Sequence, residues 1–180
     1  MTKLSGVCCI LMCVLTVALL AAIGQARNSD AGGANPAAQA PSAPAQPYIV
    51  MTGQAVSETV RDLQSGNKTQ NLLNASGVGC RVFIQHEKDV FTSQAEVHDG
   101  ADDVFIIMEG MTTLTLGGKL DSPSQVQPGE WRAGGITGGK EFKLSKGDVV
   151  IVPRGTPHRR ISASQDVTLM VVKSFTPAGK

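Results

Sequence analysis

The sequence predicts an all-β domain, a sandwich or barrel of short antiparallel strands, and three observations support this. Short runs of β-branched and aromatic residues recur between residues 80 and 172, and Gly, Asp, Pro or Ser clusters separate most of them. No segment of helical periodicity interrupts this series. Residues 147–158 combine a turn, an apolar strand and a second turn, which together deliver His158 at a fixed distance.

The first segment, residues 1–26, has the features of a secretory signal peptide. Lys3 precedes an apolar run over residues 7–23, which only Thr16 breaks, and small residues close the segment at Ala26. This pattern predicts cleavage after Ala26 and a secreted or periplasmic protein. The alternative is an uncleaved anchor, because the apolar run approaches the length that a bilayer requires. A membrane is therefore expected as a partner only through this segment.

The cysteine and charge content argues against several classes of protein. Three of the four cysteines lie in the apolar run, so Cys80 has no partner for an internal disulfide once the signal is removed. The formal net charge is +1, and aromatic residues make up 4% of the chain. Such a composition supports neither a nucleic-acid partner nor a surface on which bases would stack.

Two segments precede the predicted β domain. Residues 27–47 are rich in Ala, Gly, Pro, Ser and Gln, and they hold too few apolar side chains to offset the entropy of ordering. They predict a disordered linker. Residues 48–79 predict an N-terminal extension that contains a short apolar strand at 48–51 and a short helix at 54–63. The polar residues 64–79 are typical of a loop.

The β-barrel domain is predicted to span residues 80–177. Eight segments within it have the composition of strands: 81–85, 90–97, 104–108, 112–116, 142–144, 149–152, 159–162 and 167–172. Residues 104–108 are apolar at every position, so both faces of this strand are expected to be covered. One face would line the barrel. The other would meet a second sheet, residues 48–51 or another subunit, and a homodimer is the expected assembly.

A long connection, residues 117–140, contains the one tryptophan of the chain, Trp131, beside Arg132. Its many Gly and Pro residues predict a loop, and loops of this length are often functional. Two interpretations stay open. The connection is either a surface flap whose Trp131 covers an apolar edge, or a lid over the barrel mouth in which Trp131 and Arg132 contact a ligand.

Two segments of the domain resemble the signature motifs of the cupin superfamily, a group of small β-barrels or jelly rolls. Four residues have the spacing of the second motif: Gly147, Pro153, Gly155 and His158. The first motif contains two histidines one residue apart, then a glutamate, an apolar strand and a glycine. Residues 96–110 follow that order in part. The resemblance covers about residues 80–174.

Within the first motif, His98 falls on the second histidine and Gly110 on the glycine. Glu96 stands in place of the first histidine and Asp103 in place of the glutamate. The resemblance implies a barrel in which the polar residues of both motifs converge on one metal ion: Glu96, His98, Asp103 and His158. The residues themselves agree in part, because Glu96 and His98 are two positions apart on a strand and share a face.

Two imidazoles and two carboxylates suit a divalent ion such as Fe²⁺, Mn²⁺, Ni²⁺ or Zn²⁺. Asp103 is shorter than the glutamate it replaces, so it reaches less far toward such an ion. The alternative is a hydrogen-bonded cluster without an ion, in which each histidine and its carboxylate partner favour the other's charged form. The third histidine, His86, is predicted at a solvent-exposed strand end. Arg159 and Arg160 either contact an anionic ligand or are solvated.

Three classes of function remain open. The resemblance implies a metal-dependent enzyme, since cupins include dioxygenases, isomerases and decarboxylases of small polar or phenolic molecules; no catalytic residue is identified. The alternatives are a non-enzymatic module that binds a small molecule in the barrel mouth, and a dimerisation scaffold without metal. The interior around Phe105 is mostly apolar, which favours a small, partly apolar ligand. The candidate ligand contacts are Phe105, Trp131 and Arg132.

Overall fold

The computed structural model describes most of the chain beyond the predicted linker, namely residues 43–44, 47–75, 77–91 and 93–176. The predicted signal segment 1–26 and nearly all of the predicted linker 27–47 lie outside the described residues. Within the described part, no helix combines the length and the apolar character needed to cross a membrane.

This part of the chain contains one helix and eleven strands, which confirms the predicted all-β class. The helix is α1 (Gly53–Leu63). The strands are β1 (Lys68–Leu73), β2 (Cys80–Val90), β3 (Ala95–His98), β4 (Ala101–Leu116), β5 (Lys119–Leu120), β6 (Ser124–Gln127), β7 (Glu130–Ala133), β8 (Ile136–Thr137), β9 (Lys140–Ser145), β10 (Val149–Val152) and β11 (His158–Phe175).

Helix α1 confirms the predicted short helix and covers one end of the β structure. Thr52 is its N-cap, and the Thr52 Oγ1 accepts a hydrogen bond from the Ala55 N–H at 3.2 Å. Val60 and Leu63 are buried from the helix against Ile84 of β2. Partly buried side chains complete this cluster: Leu72, Met108 and Met170. The outer face of β4 is thus covered in part by the helix, through Met108.

Nine strands form one connected hydrogen-bonded network, and all its pairs are antiparallel. One sheet has the order β1-β2-β11-β4-β10. The other has the order β6-β7-β3-β11-β4-β9. Strands β4 and β11 therefore belong to both sheets, while β5 and β8 pair separately. Two antiparallel sheets joined in this way form a jelly-roll β-sandwich.

Each of the two long strands replaces a pair of predicted strands, because each continues through a bend. Gly110 makes the bend in β4 with φ +75°, and a Cβ there would lie 1.8 Å from the Asp166 carbonyl oxygen. Only glycine fits both the conformation and the space. In β11 the register shifts between Ile161 and Val167, and Ser164 has φ +56°.

The main apolar core lies between the two sheets and depends on alternation along β4 and β11. Phe105, Ile107 and Leu114 are buried from β4, and Val167 and Leu169 are buried from β11. Residues between them in β4, such as Ile106, are only partly buried. This period of two is the pattern expected of strands with one face on a core.

Three predictions about the fold are wrong. Residues 117–140 form four short strands, β5 to β8, because their glycines serve as tight turns; Gly129, with φ +75°, closes the turn between β6 and β7. The predicted loop 64–79 contains β1, which pairs with β2. The predicted strand 48–51 has no regular structure, since no strand edge pairs with it.

The position predicted for His86 is also wrong. This histidine lies in the middle of β2 and is only 2% exposed. Its two sequence neighbours, Gln85 and Glu87, are partly buried as well, and their side chains are hydrogen-bonded to each other. The charged residues beside His86 suggested a solvated strand end, but the pairing of β2 with both β1 and β11 places it inside the sheet.

Candidate metal site

Strand register brings the four predicted ligands together. His158, the first residue of β11, pairs with Glu96 of β3, and Asp103 of β4 pairs with Val152 at the end of β10. The two motifs are also joined directly, since the Gly155 N–H donates to the His98 carbonyl oxygen at 2.8 Å. His158 therefore reaches Glu96, His98 and Asp103 although some 55 residues or more separate it from them in sequence.

The turn before His158 is held by an ion pair between Arg154 and Asp102. The Arg154 backbone N–H and side chain both donate to Asp102, at 2.8 Å for the backbone and 2.6 Å for the shortest guanidinium contact. These bonds lower the pKa of Asp102 to about 2. Because Asp102 precedes Asp103, this pair fixes the second motif against the start of β4.

Three of the predicted ligands form a compact group. One ligand atom each of Glu96, His98 and His158 lies within 4.8 Å of the other two. Asp103 is close by, with its Oδ2 3.3 Å from His98 Nε2 and 3.6 Å from His158 Nε2. Its Oδ1, however, lies 3.4 Å from the Lys173 Nζ. A role for Asp103 as a fourth ligand stays a prediction.

Both histidines direct Nε2 toward the group of ligand atoms, because hydrogen bonds occupy the other ring nitrogen, Nδ1. His98 Nδ1 lies 2.6 Å from Glu130 Oε2, and His158 Nδ1 lies 3.0 Å from the Thr156 carbonyl oxygen. In the neutral form of each ring, the acceptor holds the proton on Nδ1, so that Nε2 carries the lone pair, which is how metal-binding histidines are oriented.

Two buried polar atoms at this point make no well-directed hydrogen bond among the described residues, although each lies 3.3–3.4 Å from an oppositely charged group: His98 Nε2 and Asp103 Oδ1. Buried polar atoms are nearly always satisfied, so two such atoms in one cluster require an explanation. The carboxylate and imidazole donors present here are those that divalent transition metals bind. The residues therefore fit the metal ion that the resemblance implies.

Charge pairing sets the protonation of the cluster. Burial lowers the pKa of His98, but the carboxylates of Asp103 and Glu96 outweigh this effect and raise the pKa to about 9. Burial raises the pKa of Glu96, but His98, Arg132 and His158 together lower it to about 2. The pKa of Asp103 is lowered in the same manner, whereas burial lowers the pKa of His158.

Two further residues of the site come from β7, where no strand was predicted. Glu130 pairs across the strands with His98, and Arg132 pairs with Glu96. The Arg132 guanidinium bridges the two acids, 3.4 Å from Glu96 Oε2 and 3.4 Å from Glu130 Oε2. Glu130 was missed because residues 117–140 were interpreted as a loop. The alternation of Glu130 and Arg132 around Trp131 was the available signal for a strand.

A cavity of about 160 Å³ opens beside the cluster, and Glu96, Asp103 and His158 are part of its lining. Phe105 also lines this cavity, and its role as a ligand contact stays a prediction. Arg132 contacts Glu96 but is not part of the lining.

Trp131 is not part of the cavity lining. It lies on the opposite face of β7 from Arg132, where its indole N–H donates to Asp99 Oδ2 at 2.8 Å. There it lines a separate surface groove with Val97 and Pro157.

No protein-family model matches the chain, and no curated protein matches it. Solved structures similar to it include the DMSP lyase DddQ from Ruegeria pomeroyi DSS-3, with 14% identity, 66% of this chain covered and a TM-score of 0.45. The match spans 52% of DddQ, about half its length. KdgF from a Halomonas species shows 13% identity over 63% of this chain and 82% of KdgF, with a TM-score of 0.44.

A cupin-like protein from Thermotoga maritima is also similar, with 15% identity over 59% of this chain and 66% of that protein and a TM-score of 0.40. At TM-scores below 0.5 these likenesses carry no conclusion about this chain. The molecule itself shows antiparallel sheets that share β4 and β11, and two motifs that are hydrogen-bonded to each other around one polar cluster. The chain therefore has a jelly-roll fold, in which the two segments that resemble the cupin motifs lie side by side.

Proposed function

We propose that this protein binds one divalent transition-metal ion through Glu96, His98 and His158, and that a small molecule binds at the ion from the adjoining cavity and is transformed there. The observation that carries the proposal is the compact group of three ligand atoms, within 4.8 Å of one another, which comes from two buried imidazoles and one carboxylate. Two histidines and one carboxylate on one face leave coordination positions open for a substrate.

The residues around the ion would have distinct tasks. Glu130 and the Thr156 carbonyl hold the two imidazoles in the tautomer that binds an ion. Phe105 would supply an apolar part of the cavity wall. Asp103, whose pKa is lowered, stays ionised beside Lys173 and can accept a hydrogen bond from a bound molecule. A bound ion would supply Lewis-acid polarisation of a substrate oxygen.

A second candidate is a binding module without metal, and one observation favours it. His98 lies within 3.3 Å of three carboxylates, those of Glu96, Asp103 and Glu130, so a protonated His98 could neutralise the cluster without an ion. In that case the ion pairs between His98 and the three carboxylates would be the working form of the site. The cavity would then bind its ligand through side chains alone.

Metal analysis of the purified full chain distinguishes these candidates. After incubation with Fe²⁺, Mn²⁺, Ni²⁺ or Zn²⁺ and desalting, we expect one ion per chain for at least one metal. His98→Gln and His158→Gln are expected to reduce the content to near zero while circular dichroism shows retained β structure. His86→Gln is the matched control, because His86 is equally buried but lies outside the cluster. A folded wild-type protein that stays metal-free with all four ions contradicts the proposal.

A further inference from the structure

Strand β10 forms an edge of its sheet, and its free side is apolar. Among the described strands it pairs only with β4. The Asp148 carbonyl oxygen accepts a hydrogen bond from the Ile107 N–H at 2.9 Å. Because backbone groups alternate along an antiparallel strand, those of Val149 and Ile151 point away from β4. These two residues are 59% and 67% exposed, and no residue of Val149–Val152 carries a charge that would hinder the pairing of another strand.

The segment 48–51 has the composition of a strand, but it pairs with no described strand. Tyr48, Ile49 and Val50 are 93%, 55% and 77% exposed. Aromatic and β-branched residues of this kind favour a paired, half-buried strand. The segment lines an apolar groove together with Val82 of β2. It therefore lies beside β2 with much of its apolar surface exposed.

A row of apolar residues crosses the outer face of the sheet between the groove and the edge strand. Ile151 of β10 is opposite Val104 of β4, and Val104 is opposite Val172 of β11. Val172 is in turn opposite Val82, which lines the groove. Three strand spacings, about 14 Å, separate β2 from β10. The segment 48–51 therefore cannot pair with β10 of its own chain from the position it occupies.

We infer that two copies of this chain form a twofold-symmetric dimer, in which the segment 48–51 of each copy pairs with the β10 edge of the other. Each chain carries one segment and one edge, so the two contacts are identical, as a twofold axis requires. The pairing supplies the open edge with a strand and covers apolar side chains of both elements.

The area of the two elements matches that of a stable interface. Their exposed apolar side chains present on the order of 700 Å² per copy, whereas a stable interface buries roughly 800 Å² per partner. A monomer rarely leaves an apolar surface of this size in contact with water. A second copy is the occupant that brings both elements at once. The inference assigns a surface to the homodimer that the sequence predicts, and it does not depend on the proposed metal site.

Sedimentation velocity of the purified full chain tests the dimer and its surface. We expect the wild type to be a dimer, and Ile49→Lys and Ile151→Lys each to raise its dissociation constant at least about 100-fold, because each places a charge inside an apolar contact. Val126→Lys is the matched control, since Val126 is 55% exposed on β6, outside both elements, and should leave the dissociation constant unchanged. Circular dichroism checks that all three variants keep the β structure.

Cross-linking tests which elements meet. In a Cys80→Ala background, a Val50→Cys protein is mixed with an Ile151→Cys protein, allowed to exchange subunits and treated with a short bismaleimide. Covalent dimers that join positions 50 and 151, identified by peptide mass spectrometry, are expected in the mixture and not in either variant alone. A mixture of Val50→Cys with Val126→Cys is the control, and it should give no such dimer.

A monomeric wild type would overturn the inference, as would a dimer that Ile151→Lys leaves as tight as Val126→Lys does. A dimer that Ile49→Lys and Ile151→Lys both weaken, but in which no cross-link joins positions 50 and 151, overturns the reciprocal pairing.

Discussion

His98 and His86 are buried to the same extent, each 2% exposed, but their neighbours differ in charge. The His86 Nδ1 is hydrogen-bonded to Thr168 Oγ1 at 2.8 Å. His98 lies within 3.3 Å of three carboxylates. Burial therefore lowers the pKa of His86, whereas the carboxylates raise the pKa of His98 to about 9. For this pair of histidines, the charge of the neighbours, and not the extent of burial, sets the direction of the pKa shift.

The largest difference between the two histidines is expected in metal affinity, when a mutation removes the residue hydrogen-bonded to Nδ1 of each. Glu130→Gln should weaken metal binding by about 10- to 100-fold, the usual effect of removing the carboxylate that orients a metal-binding histidine. Thr168→Val should leave metal affinity unchanged and lower the free energy of unfolding by about 1–3 kcal/mol, because it leaves the buried His86 Nδ1 unpaired. Competition titration with a chelator measures the first effect and urea unfolding the second. An equal loss of metal affinity in both variants would contradict the assignment of His98 as a metal ligand and of His86 as a structural histidine.

A smaller effect, on the free energy of unfolding, is expected from His98 as pH rises. The pKa of His98 is raised above its ordinary value of 6.5, so its charged form stabilises the metal-free protein below about pH 6.5, and this contribution is lost as pH rises through about 9. We expect the free energy of unfolding of the metal-free protein to fall by roughly 1–3 kcal/mol between pH 6.5 and 9.5.

Urea unfolding at several pH values, after metal removal by chelation, measures this change. In His98→Gln the slope over the same interval should be nearly flat. The same slope in the wild type and in His98→Gln would mean that another group titrates there.

The smallest difference is expected at low pH and concerns His86. Its pKa is lowered, so below pH 6.5 the unfolded chain takes up a proton more readily than the native state, and stability falls with falling pH. His86→Gln should reduce this loss by roughly 1 kcal/mol or less between pH 6.5 and 5. Thermal melting curves of the two proteins at matched pH values test this. A loss that is identical in both proteins assigns the acid sensitivity to other groups.

The sequence was sufficient to predict the fold for a physical reason, and the roles of the predicted site residues stay predictions. Strands with one face on a core alternate with a period of two, and tight turns require Gly and Pro, so both leave visible patterns. The motif around His158 combined these two signals, and the structure places His158 where the resemblance implies. The signal peptide and the homodimer stay predictions.

The pattern failed where regular structure depends on distant pairing. Strands β6 and β7 contain few apolar residues, and the glycines and prolines around them suggested a loop, so Glu130 was missed. His86 was misplaced because its charged neighbours outweighed the fact that β2 has a partner strand on both sides. The ion pair of Asp103 with Lys173 competes with a role for Asp103 as a metal ligand. No local pattern in the sequence predicts this pair, because the two residues are far apart in the chain.

The bend at Gly110 also has a consequence for folding. Because β4 and β11 each run through both sheets, neither sheet can open without disrupting the other. We therefore expect the β structure to unfold in one cooperative step. The pairing of β11 with β2 joins residues about 80 positions apart, and sheets built on such distant pairs form slowly, on the order of milliseconds to seconds. The cluster of ligands assembles only when this last strand has docked.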